Sequence, residues 1–222
     1  MKKALIIITL FISVNTITAQ TLEEINQASI KMCEFFDADK SNKTRKEILE
    51  EFWKTETRPY LLQSTNFEHY ELYKILETRL FFNCKTYHDL TISDPEPIIG
   101  PDTSYERIKS EVSKSSVEKF LKQKLFYYEM AFVGKTYFEI ADGIWKIHKD
   151  KTDDYTLYKY KQLNDTQFEL EFIESNYSEN KYLKGDKLIV EILSFDRERN
   201  KFKLSKNIKG TSIYEFEYYN YD

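Results

Sequence analysis

The chain has 222 residues, of which 41% are hydrophobic, 16% aromatic and 32% charged, with 17 Tyr and 16 Phe against 5 Gly and 4 Pro. This allows one large or two small domains with a sizeable core and argues against long disordered linkers. The formal net charge of −4 supplies little of the phosphate electrostatics that dominate nucleic-acid binding, so no nucleic acid is expected as a partner.

The chain opens on a leader pattern. Lys2 and Lys3 form a positive head, Ala4 to Val14 is an almost unbroken apolar run, and Thr16, Thr18 and Ala19 are small. This reads as a signal peptide over residues 1–19, and predicts an exported bacterial protein, periplasmic or extracellular. The run is shorter than the roughly 20 residues that span a bilayer. No later stretch is longer or more apolar, so no stable membrane insertion is expected after cleavage.

Residues 20–91 read as a helical region. Thr21 with Glu24, and Thr44 with Glu47, have the spacing of capping boxes. Leu22, Ile25, Ser29, Met32, Cys33 and Phe36 follow one helical face, and Ile48, Leu49, Phe52 and Trp53 supply a second stripe. Pro59 is the expected stop of that second helix. A third helix is expected from near Asn66 to Cys84, through Tyr73, Leu76 and Leu80. Cys33 and Cys84 are the two cysteines of the chain. In an oxidising compartment they predict one disulfide between packed helices. Closing a loop of about 50 residues is worth about 4 kcal/mol in the chain-entropy model. Two free buried thiols are the competing reading. Their spacing lacks the paired form of zinc ligands, so no metal site is assigned.

Residues 92–103 hold Pro95, Pro97 and Pro101, three of the four prolines, and read as a Pro-rich linker. Residues 104–222 read as a helix followed by strands. The helix is expected around Ser104 to Leu125, with Ile108, Val112, Phe120 and Leu121 as core candidates and a break where Ser115 and Glu118 offer a further capping box. After Tyr127 the period becomes two. Asp142-Gly143 is a hairpin turn signal between Phe138-Glu139-Ile140 and Trp145-Lys146-Ile147. Phe168, Leu170 and Phe172 alternate with Glu169 and Glu171. Tyr155 to Gln162 is rich in strand formers, and Leu188, Val190 and Ile192 alternate with Ile189, Glu191 and Leu193, which predicts a strand buried on both faces. Phe202 and Leu204, then Tyr214, Phe216 and Tyr218, close the series. Roughly seven strands with short turns predict an antiparallel β-meander, as a curved sheet or a small partly open barrel. The fold class is therefore α+β.

Phe138-Glu139-Ile140 through Gly143-Ile144-Trp145, Phe172-Ile173-Glu174-Ser175-Asn176 and Gly185-Asp186-Lys187-Leu188 resemble the β-meander of small uncharacterised exported proteins of Bacteroidota, over roughly residues 134 to 205. The resemblance implies an exported bacterial protein and transfers no activity or functional residue.

The chemical motifs are incomplete. Gly134-Lys135-Thr136 has the end of a P-loop, but Glu129 stands where its first glycine is needed. Asp37, Asp39 and Ser41 match the start of a calcium loop, but Asn42 and Ile48 replace its glycine and bidentate glutamate. His69, His88 and His148 form no i, i+4 pair, and His69 and His148 are expected in solvent. No serine lies in a Gly-x-Ser-x-Gly elbow. The pairs Glu169/Glu171 and Glu215/Glu217 could bracket a glycosidic bond, but each alternates with large apolar residues and reads as a solvated strand face. Asn42, Asn164 and Asn176 head sequons that matter only in a eukaryotic secretory pathway. No catalytic residue and no cofactor is assigned.

One ligand surface is weighed: Trp145, Tyr158, Tyr160, Tyr214 and Tyr218 on the concave side of a curved sheet, suited to a sugar, an apolar small molecule or a protein. Ordinary core packing is the competing reading. The primary functional expectation is an exported, non-catalytic binding or interaction protein. One alternative is a lipocalin-like small-ligand carrier, which needs a cavity of roughly several hundred Å³ under the sheet and fails if the Ser104–Leu125 helix fills it. The other is a hydrolase whose carboxylates meet only in three dimensions, with a strongly shifted pKa in a cleft.

Overall fold

The expected capping boxes start the first two helices of the computed structural model, which describes residues 21–63, 69–92, 103–130, 134–177 and 180–221. The leader Met1–Ala19 and the linker prolines Pro95, Pro97 and Pro101 lie outside the described residues. Helix α1 (Leu22–Cys33) begins where Thr21 N donates to Glu24 Oε2 at 2.7 Å and Glu24 N donates to Thr21 Oγ1 at 3.2 Å. Helix α2 (Arg45–Phe52) repeats this with Thr44 and Glu47. Each box satisfies two backbone donors that the first helical turn leaves open.

Pro59 does not end the second helix. A π-turn at Trp53–Thr57 leads directly into α3 (Arg58–Gln63), with Pro59 as its second residue. The wider turn opens space for the pyrrolidine ring, and the missing N–H falls where the helix restarts. The third expected helix is α4 (His69–Asn83), followed after Cys84 by α5 (Lys85–Ile92). Ile25 of α1 and Leu72 and Leu76 of α4 are fully buried at the centre of this layer. Cys33 and Cys84 form the predicted disulfide, with Cα atoms 5.5 Å apart, joining the ends of α1 and α4.

The expected helix over Ser104–Leu125 is much shorter. Thr103–Ser104 form a two-residue strand, β1, and only Lys114–Lys122 are helical, as α6. The intervening segment spends its polar groups on a neighbouring strand instead: Ser110 Oγ donates to the Ile192 carbonyl at 2.7 Å, and Glu111 N donates to the Leu193 carbonyl at 2.8 Å. The cap of α6 is Ser113, whose Oγ accepts from Ser116 N at 3.3 Å, rather than Ser115.

Eight further strands follow: β2 (Leu125–Met130), β3 (Gly134–Ala141), β4 (Ile144–Lys149), β5 (Tyr155–Gln162), β6 (Gln167–Ser175), β7 (Lys187–Asp196), β8 (Lys201–Ile208) and β9 (Tyr214–Asn220). Each pairs antiparallel with the next. Asp142 and Gly143 both take positive φ, 50° and 79°, as the tight turn between β3 and β4 requires. The α+β class and the strand order stand, but the open meander does not. β9 returns to β2 at Tyr127↔Asn220, which closes an eight-stranded barrel, and β1 adds to the same edge of β9. Leu125–Met130 supplies the strand that the roughly seven expected ones lack. Eight strands enclose an interior that side chains can just fill.

One half of that interior is filled by aromatic rings. Phe120 of α6 is fully buried, with its ring 4.6 Å from Phe126 and 5.1 Å from Phe202. Phe126 stacks on Phe138 at 4.4 Å, and Phe138 on Trp145 at 4.5 Å. Helix α6 thus plugs one end of the barrel.

Candidate functional site at the barrel mouth

The opposite end of the barrel is polar inside. Along β8 the inward residues are Phe202, Leu204, Lys206 and Ile208, so a lysine stands at a core position. Along β9 they are Glu215, Glu217 and Tyr219. This corrects the reading of Glu215/Glu217 as a solvated face: Tyr219 is buried against Phe138 at 4.4 Å, while Tyr218 is 45% exposed. Lys206 Nζ lies 2.7 Å from Glu217 Oε1 and 3.4 Å from Glu215 Oε2. The Tyr219 hydroxyl donates to the other oxygen of Glu217. The pair Glu169/Glu171 is likewise not simply solvated. Glu169 is almost buried, held by Lys187 at 3.0 Å and by Lys209.

The helical layer covers this mouth. Arg79 of α4, 3% exposed, forms an ion pair with Asp186 in the connection before β7, and its Nε donates to Asn26 Oδ1 at 2.9 Å. Asp186 also accepts from Leu183 N at 2.7 Å, which shapes the connection itself. His88 of α5 is buried, and its Nε2 accepts from Ser212 N at 2.9 Å in the connection before β9. The connections before β7 and before β9 are therefore each tied to a helix.

Between α4 and the mouth lies a cavity of about 300 Å³. Its charged lining is Lys74 and Glu77 from α4, Lys181 from the connection, and Lys206 and Glu215 from the barrel. Its apolar lining includes Phe81, Leu188, Ile208 and the ring of Tyr182. Tyr182 reaches in beside Phe172 and Tyr158, at 6.0 and 6.4 Å between ring centres.

The charges act on one another. Burial opposes the charge on Lys206, but Glu217 and Glu215 outweigh it and hold the ammonium well above the usual lysine range. Lys206 in turn holds Glu215 below the usual carboxylate range, against its own burial. Glu77 moves the other way. Burial raises its pKa, against the hydrogen bond from Tyr73 Oη at 2.7 Å and the field of Lys181. Burial also pushes the phenols of Tyr158 and Tyr219 well up, so both stay neutral. The arrangement offers a small ligand an apolar wall with ammonium, carboxyl and phenol groups around it.

The expected ligand residues divide. Trp145 and Tyr158 are buried inside the barrel, and Tyr160 is inside beside Phe168, whereas Tyr214 and Tyr218 are outside. Of the five, Tyr158 stands nearest the mouth, through its contact with Tyr182. His69 is exposed, as expected of it. His148 is only 27% exposed, paired with Glu139 at 2.9 Å and stacked on Tyr137. Sequence reading missed Lys206, Tyr182 and the Arg79–Asp186 pair, and it placed Glu217 on the wrong face. Lys206 carried a signal: it interrupts the apolar face of β8, and a buried ammonium demands a counter-charge. Among the described residues, no group of three or more His, Cys, Asp and Glu could hold a metal ion. No helix among them is long and apolar enough to cross a membrane.

No family model, no curated protein and no solved structure matches the chain. The resemblance to exported proteins of Bacteroidota is therefore corrected: no homology supports that family or that source, and the strands that carried it belong to a closed barrel. The export and periplasmic location read from the leader gain no support from the fold or from these comparisons.

Proposed function

We propose that the protein is a non-catalytic carrier that binds a small ligand at the barrel mouth, beneath α4. The observation that carries this reading is the cavity of about 300 Å³ whose lining combines apolar side chains with Lys206, Glu215 and Tyr182. Its size is at the lower end for small-molecule sites. The plug of α6 removes a cup running the length of the barrel and confines the ligand to the polar half. A closed barrel suits such a role because every strand is paired around the wall, which holds the lining side chains in place.

The test is a nuclear magnetic resonance titration with a panel of small probes at millimolar concentration: benzoate, benzylamine, indole and glucose. The methyl groups of Leu188 and Ile208 report the mouth, and that of Val117 reports the plugged end. A probe of the carrier class shifts the first two saturably and leaves the third in place. A panel that leaves Leu188 and Ile208 unmoved overturns the reading.

The opposite pKa directions of Glu77 and Glu215 in one cavity favour a second reading, acid–base hydrolysis. Glu77→Gln separates the two. Under the carrier reading it retains ligand binding and there is no turnover to lose, whereas under the second reading turnover exists and disappears.

A further inference from the structure

Resting on the mouth as the binding site, we propose that its ligand is a small organic monoanion with an apolar body, a carboxylate being the simplest case, whose charged head is taken by Lys181. The cavity is lined by three ammonium groups, Lys74, Lys181 and Lys206, against two carboxyl groups, Glu77 and Glu215. Two of those ammonium groups already have carboxylate partners, so the capacity of the site rests on the third.

The lysines are not equivalent. Lys206 is committed to Glu217 and Glu215. Lys74 bridges Glu71 at 2.7 Å on its own helix. Lys181 acts electrostatically on both Glu77 and Glu215, yet among the described residues no ion pair closes on it. It is the cation with capacity for a ligand head. A charged group entering a partly desolvated site needs such a partner, because an unpaired charge loses its hydration there without compensation.

Thr78, Asn207 and Thr211 add neutral polar groups, and the apolar part of the lining receives the other end of the ligand. Leu188, Ile208 and Phe81 offer no hydrogen bonds from their side chains, and the Tyr182 ring presents a flat wall. The ligand body is therefore apolar, and a cavity of about 300 Å³ limits it to the size of one or two rings. A ligand that is anionic throughout, or polyhydroxylated, would leave that half of the lining unmatched.

The experiment uses three probes that share one ring: benzoate, benzamide and benzylamine, titrated by calorimetry and by the Leu188 and Ile208 methyl signals. Benzoate is expected to bind at least about tenfold more tightly than the other two, the scale of one charge-assisted contact. Lys181→Met is expected to weaken benzoate by about tenfold and leave benzamide unchanged. Lys181 lies in a connection without an ion pair, so the variant keeps the fold, which its melting temperature verifies. If benzamide or benzylamine binds as tightly as benzoate, or Lys181→Met leaves benzoate unaffected, the monoanion proposal is overturned while the mouth stays a binding site. If none of the three moves the mouth signals, the proposal falls; if the wider panel moves none either, the carrier reading falls with it.

Discussion

Lys206 sits directly opposite Glu215 in the β8–β9 register, yet its ammonium lies closer to the diagonal residue Glu217, 2.7 Å against 3.4 Å. Glu217 is the deeper of the two carboxylates, with 32% of its side chain exposed against 48% for Glu215, and it also accepts the Tyr219 hydroxyl. The buried charge thus pairs inward first. Lys206→Met leaves Glu217 without its cation inside the barrel, and the expected loss is about 3 kcal/mol, the low end for breaking a buried pair, because Lys206 itself keeps 23% exposure. Adding Glu217→Gln removes the orphaned charge while its amide oxygen still accepts from Tyr219, so the double variant is expected to be more stable than Lys206→Met alone. Denaturant unfolding of the two variants measures this, and a less stable double variant refutes it.

The same cavity makes stability depend on pH in two opposite ways. Glu215 has a folded pKa below its usual value of about 4.5, so its stabilisation is fully present above that pH and is lost as pH falls through the folded value. Glu77 has a raised folded pKa, so the fold is favoured while it is protonated and loses stability as pH rises from about 4.5 through the folded value. Glu215→Gln is expected to flatten the acid limb of a melting-temperature profile, and Glu77→Gln the fall on the neutral side. Parallel profiles for the wild type and both variants would show that neither carboxyl is coupled to folding.

The disulfide Cys33–Cys84 closes a separation of 51 residues between α1 and α4. In the chain-entropy model a loop of that length is worth about 4 kcal/mol. Cys33→Ser/Cys84→Ser is therefore expected to lose about 3–4 kcal/mol. The loss also reaches the mouth, because Asn26 of α1 holds Arg79 through its side-chain oxygen. Intact-mass measurement under denaturing alkylation, with and without reductant, counts the thiols. Two alkylated thiols before reduction would sink the expectation.

The features that the residues announced are local ones. Thr21/Glu24, Thr44/Glu47 and Asp142-Gly143 each specify a cap or a turn within four residues, and each forms as read. The pairing of two cysteines needed no geometry to assign. Barrel closure was not legible in the same way, because it rests on a single ladder pair, Tyr127 with Asn220, between strands almost a hundred positions apart. The facing of β9 was misread for a physical reason. Tyr214, Phe216 and Tyr218 look like a core face beside Glu215 and Glu217, but the carboxylates are turned inward by Lys206, which lies on another strand. Alternation reports the core only where every inward residue is apolar. A barrel with an ion pair in one half breaks that rule at its candidate site.

Arg79 carries the remaining connection between the helical layer and the mouth. Its guanidinium takes Asp186 on one side and Asn26 on the other, and packs over Phe82 at 4.6 Å. Arg79→Met removes a cation that is 3% exposed and leaves Asp186 with Leu183 N as its remaining hydrogen bond on the connection. The expected cost is about 3–5 kcal/mol, the range for stripping one partner from a buried pair. Asp186→Asn keeps an acceptor for both Arg79 and Leu183 N, and is expected to cost less. The location of the damage distinguishes this from general destabilisation. Hydrogen exchange at the amides of Leu183, Asp186 and Lys187 should rise in Arg79→Met by more than that of Phe126 or Phe138 at the plugged end. Uniform exchange gains along the barrel would mean that Arg79 supports the fold as a whole and has no particular hold on the connection that carries Lys181 and Tyr182.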